Sequence, residues 1–369
     1  MKKTFNMDMN IVKAIGILAI VAGHTNWDIF GDLFINGAWH VPLFFFISGY
    51  FLKEEFLEQI NLEKIKNYFK NTIFKYIKIF YSYHFLYGGV TWLIYLLSGK
   101  IYGQLPNLKN LTYDFFNMNP FAIVVPNWFL LQLILSLTFF IISYSILKRI
   151  YNNKIFLTCI FVIFGATAIY LADPNYAPSL GFKKVLIKTL ISTFYIYCGY
   201  LYKIKIETKL KFNSQMLIGL LSTQALILII FNTSINSDIN NAMLRSNFSG
   251  LIAPFIGILF VIYIAKLISP HIKENSFIDK IGKNTLNIME NHVFIIFLIS
   301  TLFSTLDGKP IIETSHITSN YYKMNIFKFF YTFSSIAICV YLGDLFKILK
   351  SKLKPKITTY FVKKFNEQV

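Results

Sequence analysis

The chain has 369 residues, 55% of them hydrophobic and only 15% charged, with a formal net charge of +18. A mean hydropathy of +0.53 and repeated apolar runs of spanning length exclude an ordinary soluble domain. The basic excess would suit nucleic acid, but the lysines fall in short connections between apolar runs, a pattern set by membrane orientation.

Spans are predicted near residues 9–27, 35–52, 73–98, 125–147, 155–172, 185–202, 214–232, 250–268, 285–306 and 325–346. The predicted fold is therefore all-α: a polytopic transmembrane helix bundle of about ten spans. Lys2 and Lys3 precede the first run as in a signal peptide, yet no small-x-small cleavage site follows, so a retained first helix is expected. Ten spans put both termini on one side. Basic residues crowd the terminal segments and the connections after spans two, four, six and eight, among them Lys148, Arg149, Lys203, Lys211, Lys273 and Lys280. Both termini are thus expected to be cytoplasmic.

Residues 54–70 carry Phe56, Leu57, Ile60, Ile65, Tyr68 and Phe69 at helical spacing opposite Glu54, Glu58, Glu63 and Lys66. That pattern predicts a helix lying in the cytoplasmic interface. Residues 1–347 read as one transmembrane domain and 348–369 as a basic cytoplasmic tail, with Pro355 as a helix breaker and anionic lipid as partner. Cys159, Cys198 and Cys339 lie in apolar segments without ligand spacing, which predicts buried free thiols and no metal site.

Four polar constellations interrupt the apolar spans. In the first span, Lys13 and His24 are eleven residues apart, about three helical turns and roughly 16 Å of rise, so both leave one helix face. Ionisable groups inside a bilayer are costly and usually face a bundle interior or wet cavity. Lys13 either snorkels to the headgroups or meets a ligand; Asp28, one turn past His24, is a candidate to orient the imidazole. The second is His40-Val-Pro-Leu-Phe-Phe-Phe-Ile-Ser-Gly-Tyr50, the third Pro126-Asn-Trp-Phe-Leu130, and the fourth Gly282-Lys-Asn-Thr-Leu-Asn-Ile-Met-Glu-Asn-His292.

In order and spacing these four resemble the motifs of acyltransferase family 3, the integral-membrane O-acyltransferases, and within it the fucose 4-O-acetylase-like branch. The family's first helix carries a basic residue, ten intervening positions and a histidine, as at Lys13 and His24. Its second helix reads His-Met-Pro-Leu-Phe-Phe-Phe-Ile-Ser-Gly-Tyr, matched from His40 to Tyr50 with Val41 for Met. A Trp-Phe-Leu element precedes its fourth span, as at Trp128, and its late signature resembles Gly282 to His292. Three departures stand out: Lys13 where arginine is common, Ser82-Tyr83 for Pro-Tyr, and Met289-Glu290 for Tyr-Leu. The added acid Glu290 requires a partner if it lies inside the bilayer.

The resemblance implies a membrane O-acetyltransferase of the cell membrane. It would move an acyl group, most simply acetyl, from cytoplasmic acyl-CoA to a hydroxyl of a cell-surface or lipid-linked carbohydrate. Acetyl-CoA would be a donor substrate rather than a permanently bound cofactor; the other partners would be the carbohydrate and membrane lipid, without nucleic acid. His24 is the candidate base, because imidazole titrates near neutral pH, with His292 and Glu290 as further catalytic candidates. Lys13, His40, Ser48, Asn127, Trp128 and Arg245 are the candidate substrate-binding residues. The rival readings are a polysaccharide exporter or flippase on the same fold and a non-catalytic partner in glycan assembly.

Overall fold

A computed structural model describes residues 6–58, 61–99, 122–173, 181–231, 238–244, 249–309 and 323–366. Its helices are α1 (Met7–His24), α2 (Asn36–Tyr50), α3 (Glu54–Glu58), α4 (Leu62–Tyr68), α5 (Phe74–Ser98), α6 (Trp128–Ile150), α7 (Lys154–Leu171), α8 (Phe182–Leu201), α9 (Ser214–Phe231), α10 (Ser249–Ile268), α11 (Phe277–Lys283), α12 (Thr285–Leu306) and α13 (Lys328–Asn366). Among the described residues the only β pairings are two isolated bridges. An all-helical bundle is the outcome expected when backbone groups must be satisfied within each segment in lipid.

Eight described helices are long and apolar enough to cross a bilayer. The other two expected spans are also helical. Helix α2 has only 15 residues and is buried along much of its length. Helix α5 has 25 and turns Phe85, Leu86, Trp92, Leu93, Leu96 and Leu97 outward, an apolar stripe suited to lipid.

Local chemistry explains the ends of α1 and α2. The Asn6 side chain accepts the Met9 N–H at 3.0 Å and so caps α1, while Asp8 places negative charge at the positive end of the helix dipole. Helix α1 stops at His24, three residues earlier than the hydropathy pattern implies. The Thr25 hydroxyl turns back onto the Ala22 carbonyl, and Asn26 takes a left-handed φ of 55°. The carboxylate of Asp28 then accepts the Asn36 N–H at 2.7 Å at the start of α2. It caps that helix rather than orienting His24, because the chain reverses between the two.

Helix α1 is the spine of the molecule. Met9, Ile11, Val12 and Ala19 join one apolar core, shared with α2, α6, α7, α8 and α10. Ala14, Ile17 and Val21 join a second, shared with α5, α12 and α13. The polar face of α1 is therefore left at the seam between two half-bundles.

The tightest helix crossing is between α2 and α8. A Cβ on Gly49 would lie 1.8 Å from the Ile196 carbonyl oxygen, and one on Gly199 would lie 1.8 Å from that of Phe46. Backbones can approach so closely only when both crossing residues lack side chains, the small-residue contact that replaces the hydrophobic effect between helices in lipid.

Three further sequence expectations are corrected. Pro355 does not break the last helix, since α13 runs on to Asn366; a proline loses one N–H bond and its helix can continue past it with neighbouring turns intact. The described residues of 54–70 form two short helices, α3 and α4, the second continuing through a π turn at Phe69–Ile73 into α5; Ile60 lies outside the described residues. Phe56 stacks on Tyr68 with ring centroids 5.2 Å apart, so their apolar faces fold against each other and the bundle. Cys159 is exposed on α7, whereas Cys339 is buried and Cys198 half-buried; an apolar stretch that faces lipid does not bury its thiol in protein.

Gly49→Ala or Gly199→Ala should destabilise the bundle by about 1–3 kcal/mol through overpacking, read as a lower melting temperature in detergent. Gly219→Ala is the control: nothing lies within 4 Å of its added Cβ, and the melting temperature should hold or rise. Equal effects at all three positions would refute the role given to the crossing.

Candidate active site

Along α1, the residues facing the seam are Lys13, Ile17, Ile20, Gly23 and His24, in steps of four, three, three and one that keep one stripe. Two cavities open on this stripe. The first, about 440 Å³, is lined by Lys13, Ser48, Tyr68, Thr72, Tyr76 and Thr285 among apolar neighbours. The second, about 380 Å³, is lined by His24, His40, Trp128, Asp238 and Asn240. Beside it a further recess of about 460 Å³ is bounded by His24, Asp28, Asn36 and His40. The lysine and the histidine that drew attention in the sequence thus belong to different compartments.

At the histidine end, His24 is partly exposed to the cavity and its ring lies 5.1 Å, centroid to centroid, from that of fully buried His292. Nδ1 of His292 lies 2.8 Å from the Ile288 carbonyl oxygen. A carbonyl can only accept, so Nδ1 carries the proton and Nε2 keeps its lone pair. That Nε2 is buried without a hydrogen-bond partner among the described residues. His40 likewise gives its Nδ1 proton to the Asn36 carbonyl, one turn back on α2.

Trp128 lies at the start of α6 and forms part of the same wall. The ammonium of Lys188 sits 4.3 Å from the centre of its ring, although Lys188 is only 1% exposed. This cation–π contact is strongest when desolvated. Asp238, Ile239 and Asn240 line the cavity from the segment Asp238–Leu244, in which Asp238 and Met243 pair backbone to backbone and the Asn241 side chain accepts from the Lys184 ammonium at 3.4 Å.

Glu290 has the partner its burial demands. With its amide nitrogen turned to the carboxylate, Asn127 donates to the two Glu290 oxygens at 3.3 and 3.2 Å. Both residues are buried, at 1% and 0% exposure. Glu290 stands two residues from His292, about 200° around the helix, so the two leave opposite faces of α12. Neither Glu290 nor Asn127 lines either cavity; their neighbour Met289 lines both.

At the lysine end, Lys13 makes no ion pair among the described residues. Nearby, Asp279 is engaged by Asn10 at 2.9 Å and by Lys283 at 2.7 Å. Ser48 donates to the Phe44 carbonyl of its own helix at 2.7 Å while lining the cavity. Tyr50 closes the same motif by donating to Glu207 at 2.9 Å, and Glu207 lies 3.8 Å from Lys266. Asp344 meets Lys347 at 3.3 Å and Lys280 at 3.7 Å. Arg245 lies outside the described residues.

The structure therefore brings His24, His292, His40 and Trp128 together, places Lys13 and Ser48 in a second compartment, and sets Asn127 with Glu290 as a buried pair. Sequence reasoning missed Lys188 and the dual position of Met289. The available signal for Lys188 was its place inside an apolar run, four residues after Lys184 and so on the same face.

A family model described as an acyltransferase domain, that of acyltransferase family 3, matches residues 6–344. The chain belongs to this family. It is an integral-membrane acyltransferase, and the match takes in every element that builds the two cavities. No curated protein and no solved structure matches it.

Asn127→Leu should leave the Glu290 carboxylate buried without a donor, a cost of about 1–3 kcal/mol, and lower the thermal unfolding midpoint in detergent. Adding Glu290→Gln to that variant should recover part of the loss by removing the charge. An unchanged midpoint for Asn127→Leu would show that the pair contributes nothing.

Proposed function

We propose that the protein transfers an acyl group, acetyl in the simplest case, from cytoplasmic acyl-CoA to a hydroxyl of a cell-surface or lipid-linked carbohydrate, within the cell membrane. One observation carries this reading: a single helix presents a cation to one cavity and an imidazole to another, displaced along its axis. With ten spans and both termini in the cytoplasm, the Lys13 cavity faces the side rich in Lys280, Lys283 and Lys347. That is the side on which acyl-CoA is available.

Each compartment has suitable chemistry for its part. Lys13, free of ion pairs among the described residues, can meet a donor phosphate, while Ser48, Thr72, Tyr76 and Thr285 offer hydroxyls to a polar, amide-containing arm. The apolar remainder of that cavity excludes water from the thioester. In the second cavity His24 takes the proton of the acceptor hydroxyl. The oxygen attacks the thioester carbonyl, the new C–O bond forms, the C–S bond breaks, and the proton passes from His24 to the departing sulfur. His292, holding a lone pair at Nε2 beside His24, provides an uncharged neighbour that can share the proton as imidazolium forms. Trp128, His40 and Asn240 supply the aromatic and polar edges that a sugar uses for recognition.

His24→Ala should reduce acyl transfer by roughly 10²- to 10⁴-fold in protein that still purifies as a folded species. Transfer within about threefold of wild type would remove His24 from the chemistry. Glycan movement into proteoliposomes without acyl-CoA, and no transfer with it, would replace acyl transfer by export.

Lys13→Ala should raise the Michaelis constant for acyl-CoA, since a charge-assisted contact is worth about 1.5–3 kcal/mol. Lys13→Arg should keep most activity, because charge and donors remain. A steady-state donor titration at saturating acceptor checks both. An unchanged donor constant for Lys13→Ala would leave the lysine with a snorkelling role alone.

A further inference from the structure

The two cavities are separated by a partition about one side chain thick, and four helices agree on its level. On α1, Ile17 lines the Lys13 cavity and Ile20 the His24 cavity. On α2, Phe44 belongs to the first and Val41 to the second. At that same level Met289 of α12 and Phe129 of α6 line both. A thioester entering beside Lys13 must therefore present its carbonyl across Met289 and Phe129 to meet a hydroxyl at His24. We propose that Met289 and Phe129 form the gate between the two compartments and that the gap beside them sets the length of acyl chain transferred. The proposal rests on the acyl-transfer reading above and adds to it the residues that decide donor selectivity.

The two side chains suit unequal parts. Phe129 is held by rings on both sides, 4.9 Å from Phe45, 6.1 Å from Phe44 and 6.1 Å from Trp128. It is the fixed jamb. Met289 is unbranched, with rotatable bonds that let its thioether swing without moving the backbone. The helix around it is pinned: Asn287 donates to the Cys339 carbonyl at 2.5 Å, and Tyr87 donates to Asn291 at 2.7 Å. The Met289 side chain is 7% exposed and can change rotamer while these contacts hold the helix. Closed, it keeps water from crossing the bundle and reaching the thioester. Displaced, it leaves room for a short acyl group; a longer chain has to occupy the volume the thioether vacates.

Two measurements test the gate, one of them independent of catalysis. In a background with the three native cysteines replaced by alanine, Ser48→Cys places a thiol in the Lys13 cavity. In sealed vesicles of known orientation, a charged methanethiosulfonate reagent should label it only from the Lys13 side. Adding Met289→Ala with Phe129→Ala should raise labelling from the opposite side at least tenfold. Labelling from both sides without those changes, or no increase with them, would overturn the partition. The second measurement compares transfer from acetyl-, propionyl- and butyryl-CoA. Met289→Ala should shift the butyryl-to-acetyl ratio upward by tenfold or more, and Met289→Phe should shift it down. An unchanged ratio, in variants that retain transfer and wild-type melting temperature, would refute control of chain length. If the labelling result holds but no acyl-CoA of any length is used by the wild type, the partition stands and the acyl-transfer reading fails.

Discussion

The backbone contact between α2 and α8 at Gly49 and Gly199 is the constraint on which the rest of the bundle depends. Helix α2 is too short to be placed by lipid thickness alone, so its position is fixed by what it packs against. The glycine crossing locks it to α8 near one end, and Trp39 closes on Gly257 of α10 toward the other. With α2 set in this way, His40 and Ser48, which are two turns apart, fall beside two different cavities. Helix α1 then packs against α2 and is held on its remaining sides by α10, α11, α12 and α13.

This arrangement explains how a membrane interior can tolerate its polar residues. A bilayer span with a lysine, two histidines and a glutamate nearby would be unstable if each faced hydrocarbon. Here Glu290 is taken up by Asn127, Lys188 by the face of Trp128, and Asp279 by Asn10 and Lys283. Among the charged and imidazole side chains that line the two cavities, Lys13 and His24 make no ion pair or hydrogen bond among the described residues. A cavity-lining polar group without a protein partner is one that a ligand can complete.

The polar seam exists because α1 contributes to two apolar cores at once. A helix buried against a single core would turn its polar stripe to solvent or lipid; one shared between two half-bundles keeps that stripe inside. The partition at Met289 and Phe129 follows from the same geometry. Phe44 and Phe129 pack against both apolar cores there, and Met289 and Phe129 line both cavities.

Much of this was legible in the sequence. The helical class follows from apolar runs long enough to span a bilayer, because lipid leaves the backbone few other choices. The common face of Lys13 and His24 follows from helical periodicity, and the family from four motifs in order. Periodicity places residues on a face, but it cannot say what that face meets. Only the tertiary structure decided that Lys13 and His24 serve separate cavities, that Asp28 caps α2, and that Glu290 turns away from His292 to Asn127. Lys188 gained its aromatic partner, and Met289 its place in two walls, from helices more than fifty residues away in the chain. Such contacts depend on how helices cross, and crossings are set by the shapes of both surfaces at once, which no single segment encodes.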